Sequence, residues 1–166
     1  MPRYCFDTSG LSHPHETMPE DIHDSMWNSI KRFIADGNIA VNTEIFDEMV
    51  HIDGGLGDFI ASTKATIVLE VGGQWDWNSY LGHTTRMQND YRRYISEFNG
   101  GSKRTVGLND ISIIALAKTL NLPLVSMESR VRDPNSNKRR IPDICDMERV
   151  SHLTFIEFLR TEGQRF

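Results

Sequence analysis

The stretch Tyr4-Cys5-Phe6-Asp7-Thr8-Ser9-Gly10 decides the fold. Tyr4 to Phe6 is short, apolar and prone to β-structure, whereas the residues from Asp7 to Gly10 favour turns and helix caps. We therefore expect a buried strand followed by a loop. Asp7 stands directly after that strand, where a side chain of an open α/β sheet can reach a ligand.

The rest of the chain alternates between helix and strand patterns. Apolar residues three and four positions apart predict helices, and short β-branched runs predict strands. Further strands are predicted at 39–41, 66–71 and 122–126. Helices are predicted after Pro19 up to Gly37, at 43–49, from Asp76 to near Asn99, at 111–120 and at 154–161. Asn42 or Thr43 would cap the 43–49 helix, and Asn109 or Asp110 would cap the 111–120 helix. The basic segment 130–140 reads as an exposed loop.

This alternation predicts parallel βαβ units, and hence a three-layer α/β/α fold around a mainly parallel sheet. With 166 residues the chain has the usual length of one domain. We expect one domain over residues 1–166. The apolar stripe of the 76–98 helix is better explained by packing on the sheet than by stacking on bases.

Composition narrows the functional classes. Hydrophobic residues make up 39% and charged residues 25%, which is ordinary for a globular protein. No apolar run is long enough for a membrane span, and we expect neither a signal peptide nor an anchor. Cys5 and Cys145 form no paired motif, which favours reduced thiols and a cytoplasmic location. The net charge of −5 argues against a protein coated in positive charge for nonspecific nucleic-acid binding, although it does not exclude a nuclease.

Acidic residues fall at the predicted strand and helix ends. They are Asp7, Glu44, Glu48, Asp110 and Glu128. Carboxylates held together repel one another unless a cation lies between them, and carboxylate oxygens are the ligands that Mg²⁺ and Mn²⁺ prefer. Each acid taken singly is also an ordinary helix cap. Zinc is disfavoured, because the histidines of His13-Pro14-His15 have no paired cysteines nearby.

Three segments together resemble PIN-domain nucleases. Phe6-Asp7-Thr8-Ser9-Gly10-Leu11 is similar to the opening strand and aspartate of that family, Asn109-Asp110 followed by an alanine-containing helix is similar to its third acidic segment, and Leu124-Val125-Ser126-Met127-Glu128 is similar to its fourth. The segment from Lys138 to Cys145 resembles a bacterial branch similar to VapC toxins. The order of these pieces spans most of the chain.

The resemblance implies a PIN-like fold over residues 1–166 with a Mg²⁺ or Mn²⁺ site. Its catalytic residues would be Asp7, Glu48, Asp110 and Glu128, and Asp7, Glu48 and Asp110 would hold the metal. Glu48 fits the second motif better than Glu44, although both are predicted on one helix face. Glu44, Glu128 and Asp143 are the further metal candidates, and Glu128 stands where aspartate is usual in the family.

The resemblance also implies an activity and partners. The protein would hydrolyse RNA phosphodiester bonds as the toxin of a toxin–antitoxin pair, with an antitoxin protein and a second copy of the chain as partners. The candidate substrate-binding residues are Thr8, Ser9, Ser126, Arg130, Arg132, Arg139 and Arg140, with Lys138 in the same basic loop. A charge-rich loop is also commonly just solvated.

Two alternatives remain open. One is a PIN-like module that has lost catalysis and binds RNA or protein, which the Glu128 departure supports. The other is a metal-dependent phosphatase, which is weaker because the chain has no second aspartate two residues after Asp7.

Overall fold

The computed structural model describes residues 1–166 and has a four-stranded, all-parallel sheet at its centre. The strands are β1 (Tyr4–Phe6), β2 (Ile39–Ala40), β3 (Leu124–Val125) and β4 (His152–Leu153), in the order β2-β1-β3-β4. Because all four strands run the same way, their carboxyl ends meet at one edge of the sheet. β1 is central, so Asp7 stands in the middle of that edge.

Helices flank the sheet and complete the predicted three-layer α/β/α fold. They are α1 (Ser9–Thr17), α2 (Asp24–Ala35), α3 (Thr43–Met49), α4 (Gly55–Ala61), α5 (Lys64–Ile67), α6 (Trp77–Asp90), α7 (Leu108–Leu120), α8 (Ile141–Glu148) and α9 (Phe155–Thr161). No helix has both the length and the apolar character that a membrane span needs.

The core is one cluster of 37 buried residues that includes the strand residues of β1, β2 and β3. On one face, the rings of Tyr4 and Phe6 lie edge-on against Phe158 of α9 at 5.1 Å. On the other face lies α7, whose residues from Ile111 to Ala117 are all buried. A helix that is buried all round must be covered on both sides, and α6 and α8 cover α7 away from the sheet.

The predicted loop after Asp7 is wrong, since α1 begins at Ser9. Gly10 allows this early start, because a Cβ at that position would lie 2.7 Å from the backbone oxygen of Val125. The first turn of α1 therefore packs directly on the carboxyl end of β3. The turn-prone residues from Asp7 to Gly10 did not predict this helix, because its start depends on the contact between Gly10 and Val125.

The predicted strand at 66–71 is also wrong. α5 extends to Ile67, and only Val68 forms a bridge, which is parallel to Val41. Among the β-branched residues there, only Ile67 is buried, while Thr66 and Val71 are exposed, so their β-propensity alone did not produce a strand.

The predicted helix from Asp76 to near Asn99 ends at Asp90 and is followed by one 3₁₀ turn, Arg92–Tyr94. The helical spacing of apolar residues continues past the end of α6, because Tyr94 and Ile95 are buried although they lie outside that helix. Ile95 forms a β-bridge with Val106. β4 was not predicted, because a two-residue strand carries almost no periodic signal.

A buried carboxylate joins three of the helices on the α7 face. Glu148 of α8 accepts hydrogen bonds from Arg86 of α6 at 2.6 and 3.1 Å and from the Tyr91 hydroxyl, and Lys118 of α7 lies 3.4 Å away. Burial raises the pKa of Glu148, but the hydrogen bonds from Arg86 and Tyr91 outweigh it and lower the pKa to about 2. The cluster therefore stabilises the charged carboxylate.

We expect Glu148→Gln to lower the free energy of unfolding at pH 7 by about 2 kcal/mol, because it leaves the cations of the cluster without their shared anion. The folded pKa is depressed, so this contribution is present above the unfolded pKa of about 4.3 and is lost as the pH falls toward 2. Chemical denaturation at several pH values measures it. Asp90→Asn removes the exposed partner of the same Arg86 and should change stability by less than about 0.5 kcal/mol. An equal loss in both variants would contradict this account.

Candidate active site

The carboxyl edge of the sheet gathers acidic side chains from four separate segments. Asp7 follows β1, Glu48 lies on α3 after β2, Glu128 follows β3, and Asp110 reaches the edge from the first turn of α7. These acids are close enough for their charges to act on one another. Besides burial, the charges of Glu128 and Glu48 raise the pKa of Asp7. Besides burial, the charges of Asp7, Glu128 and Glu48 raise the pKa of Asp110. We call these four residues the acidic edge.

Asp7 is buried, with 4% of its surface exposed. Its Oδ2 atom accepts hydrogen bonds from the Ser9 hydroxyl at 2.6 Å and the Ser9 backbone N–H at 3.1 Å, while Oδ1 accepts none. Burial raises the pKa of Asp7 to about 6, although the two bonds from Ser9 oppose the rise. Ser9 also accepts a bond from the backbone N–H of Met127, so it links Asp7 to the segment after β3.

Asp110 is the third residue of α7, not its cap. The N-cap is Gly107, whose backbone N–H donates to Asp110 Oδ2 at 2.8 Å. Burial, followed by the charge of Asp7, raises the pKa of Asp110 to about 8. Asp110 Oδ1 accepts no hydrogen bond, so the buried Asp7 and the half-buried Asp110 each keep one oxygen available.

Glu48 differs from the aspartates because it is exposed and both of its oxygens are occupied. Thr8 donates to one oxygen and Asn109 donates to the other, each at 2.7 Å. Glu44 lies one turn earlier on α3 but lines a separate cavity beside Tyr80. The structure therefore groups Glu48, rather than Glu44, with Asp7 and Asp110.

Glu128 and Asp143 both bond to backbone groups around the start of α8. Glu128 accepts from the N–H of Ile141 at 3.0 Å through Oε2 and leaves Oε1 without a bond. Asp143 accepts from the N–H of Arg140 at 2.8 Å and from that of Val131 at 3.2 Å. Asp143 thus holds the basic loop onto α8, and it is not among the main causes of the raised pKa values of Asp7 and Asp110.

Ser126 is fully buried, and its hydroxyl lies 2.7 Å from His152 Nε2. It also accepts a bond from the backbone N–H of Glu128 at 3.4 Å. Burial, with a smaller effect of the Arg130 charge, lowers the pKa of His152 to about 4, so the ring is neutral at pH 7. The hydroxyl predicted to contact substrate instead fixes the backbone that carries Glu128. Sequence reasoning missed His152, because the strand that carries it was not predicted.

The basic loop divides into paired and unpaired cations. Arg130 forms an ion pair with Asp146 at 2.7 Å, which removes it from the free cations of the loop. Arg132, Arg139 and Arg140 form no ion pair, and the buried Nε atom of Arg140 has no hydrogen-bond partner. Arg140 directly precedes Ile141, whose N–H donates to Glu128. The backbone of Arg140 therefore lies next to the acidic edge, and its guanidinium forms no ion pair.

Tyr94 brings a second set of cations to this loop. Arg93 and Arg139 lie over its ring at 4.7 and 5.5 Å, and Thr105 donates to the backbone oxygens of Tyr94 and Arg139. Sequence reasoning missed Arg93, because only the fold brings residue 93 next to residue 139.

The acidic edge suits a hard divalent cation by its chemistry, since every candidate ligand is a carboxylate oxygen. Burial is the main cause of the raised pKa values of Asp7 and Asp110, and the neighbouring acidic charges add to it; a nearby cation would offset both effects. However, no three His, Cys, Asp or Glu side chains lie close enough together to hold an ion as they stand. Ligation by Glu48 would require it to turn away from Thr8 and Asn109.

We expect Ser9→Ala to raise the pKa of Asp7 above about 6, because the variant loses a hydroxyl bond that stabilises the ionised carboxylate. Fewer molecules would then carry a charged Asp7 at pH 7. A carboxyl titration followed by NMR should show the midpoint moving to higher pH. Ser12→Ala on the same helix is the control and should leave it in place; a midpoint unchanged in Ser9→Ala would contradict the assignment.

Fold and site together define a three-layer α/β/α protein with an acidic site at the carboxyl edge of its sheet. The chain belongs to the family described as a domain of unknown function, DUF4411, whose model matches residues 4–166 and so includes the whole acidic edge. No curated protein matches the chain.

Proposed function

We propose that the protein is a Mg²⁺- or Mn²⁺-dependent endoribonuclease of the PIN-domain kind. The observation that carries the proposal is the convergence of Asp7, Glu48, Asp110 and Glu128, from four distant segments, on one edge of a parallel sheet. Acidic residues that only cap helices do not need to converge in this way. Repulsion among the carboxylates disfavours their charged forms unless a cation lies near them. Resemblance of the sequence motifs to PIN-domain nucleases supports the reaction class.

In this proposal Asp7, Asp110 and Glu48 hold the metal. A bound divalent ion would lower the pKa of a water molecule and neutralise charge on the phosphate. Ser9 holds Asp7 in position through the bond to Oδ2, which leaves Oδ1 for the ion. Gly107 does the same for Asp110.

The surrounding residues bind the substrate and support the acids. Arg139 and Arg140, together with Arg132, Lys138 and Arg93, give the phosphates of RNA a positive surface next to an acidic centre. Thr8 is released for phosphate contact when Glu48 turns toward the ion. Ser126 and His152 keep the backbone of Glu128 fixed from the interior.

We further propose that the protein is a toxin that acts in the cytoplasm, is restrained by an antitoxin protein bound near the acidic edge, and forms a homodimer. These partners rest on the resemblance to VapC-like proteins. Two free, buried cysteines are in keeping with a reducing compartment.

A second candidate is a PIN-like module that binds RNA or protein without catalysis. It is favoured by one specific observation: no three ligands are assembled, and both oxygens of Glu48 are occupied by Thr8 and Asn109. In that case the acidic edge would have no catalytic role, and the basic loop would bind the RNA or protein.

One experiment separates the two candidates. The purified protein is incubated with structured RNA and Mg²⁺ or Mn²⁺, with EDTA and with Asp7→Asn as controls. The nuclease proposal expects cleavage that both controls abolish. RNA binding without cleavage under any metal condition would favour the inactive module, and cleavage that persists in Asp7→Asn would refute this active site.

A further inference from the structure

A cavity of about 230 Å³ opens beside the acidic edge, between α3, α6 and the start of α7. Asn109 joins the two sites, because it lines the cavity and donates to Glu48. Ligand pockets for drug-sized molecules commonly occupy roughly 300–1,000 Å³, so this cavity suits a smaller group. Its walls are partly apolar and include Leu69, Leu81, Leu108 and Tyr80.

The polar floor of the cavity is tied together by hydrogen bonds, which use the donors of Asn42 and Ser112. Asn42 is 2% exposed and donates to Ser112 at 2.7 Å and to the Tyr80 hydroxyl at 3.2 Å, while its carbonyl accepts the N–H of Ile45. Ser112 donates to the backbone oxygen of Asn109. Such a network holds the Tyr80 ring in place, and the Tyr80 hydroxyl accepts from Asn42 without donating to another group.

The groups that remain free are mostly acceptors. Glu44 stands at the rim with both carboxylate oxygens free of hydrogen bonds and ion pairs, and Asn109 keeps its side-chain carbonyl free because only its Nδ2 is used. Gln88 forms no side-chain bond and can donate or accept. A ligand that complements Glu44 and Asn109 therefore presents N–H donors.

Among the four RNA bases, guanine meets this requirement best. Its Watson–Crick edge carries two adjacent donors, N1–H and the N2 amino group, which match the two oxygens of one carboxylate. Adenine and cytosine place an acceptor nitrogen next to their amino group, and uracil flanks its N3–H with two carbonyls, so each would set a lone pair against Glu44. Single-stranded RNA is commonly read through splayed bases bonded on this edge.

We propose that this cavity is a guanine-binding subsite, with Glu44 as the residue that reads the base and Asn42, Tyr80 and Ser112 as its hydrogen-bonded floor. The site deepens the proposed ribonuclease function, on which its RNA context rests, because a guanine held here would place a neighbouring phosphate near Glu48 and Asp110. The protein would then cleave next to guanine rather than at any base.

The test measures binding without catalysis. The full chain in EDTA is titrated separately with GMP, IMP, AMP, CMP and UMP, and the side-chain amide signals of Asn42 and Gln88 are followed by NMR. The five nucleotides share a phosphate, so differences among them report the base. IMP is the closest control, since it lacks only the N2 amino group. We expect GMP to bind at least fivefold more tightly than each of the others.

The variant Glu44→Gln should reduce the preference for GMP over IMP at least fivefold. Asp47→Asn is the matched control, because it makes the same change of charge on the exposed side of the same helix and should keep the preference. Equal binding of GMP and IMP, or a preference unaffected by Glu44→Gln, would overturn the proposal.

The subsite and the nuclease can fail independently. Metal-dependent RNA cleavage with no preference for guanine would retain the nuclease and refute the subsite. Selective binding of GMP by a protein that cleaves no RNA would retain the subsite and refute the nuclease.

Discussion

Asp110→Asn is expected to reduce metal-dependent RNA cleavage by at least about 100-fold, because it removes one of the two aspartate charges that would hold the ion. The asparagine carbonyl can still accept the N–H of Gly107, so α7 should begin as before. Initial rates on a labelled RNA, with circular dichroism to check folding, measure the effect.

Asp133→Asn is the control for this loss. Asp133 lies in the exposed basic loop and caps the N–H of Asn135, a bond that asparagine can also make. The control should cleave at the wild-type rate. A folded Asp110→Asn protein with more than a tenth of the wild-type rate would show that Asp110 is not a metal ligand.

The same substitution is expected to make the metal-free protein more stable. The folded pKa of Asp110 is about 8, well above the ordinary value of about 3.9. A raised folded pKa of an acid means that its contribution is fully present below the unfolded pKa and is lost as the pH rises toward 8. Asparagine cannot ionise, so Asp110→Asn should gain stability relative to wild type over that range.

We expect a gain of about 2 kcal/mol at pH 8 in EDTA, which is a rise in melting temperature of about 5 °C for a chain of this size, and little difference near pH 4. Thermal unfolding at the two pH values tests this. Saturating Mn²⁺ should then stabilise the wild type and not the variant. A variant that is less stable than wild type at pH 8 would mean that the buried charge is not strained.

The sequence predicted three of the four strands, β1 to β3, and the acidic edge, because these depend on local patterns. Tyr4 to Phe6 reads as a strand from composition, and parallel order alone puts Asp7 at the carboxyl edge. The α/β/α fold is confirmed, whereas the PIN-like identity remains a proposal. Asp110 could be placed at the start of a helix, although its position as third residue behind Gly107 could not.

The remaining features depend on contacts between distant segments. The start of α1 depends on Gly10 meeting Val125, and the end of α6 depends on tertiary packing of Tyr94 and Ile95. The separation of Glu44 from Glu48 is similar: both lie on one short helix, and only the position of Tyr80 on α6 shows that Glu44 faces another cavity. A single sequence carries no direct signal for such pairs.

The most direct measurement is a crystal structure of the protein with Mn²⁺ at pH 8, with the ion located by its anomalous scattering. We predict one ion bound by Asp7 and Asp110, with Glu48 turned away from Thr8 and Asn109 toward the metal. Ordered Asp7 and Asp110 with no ion between them at saturating Mn²⁺ would contradict the proposed metal centre.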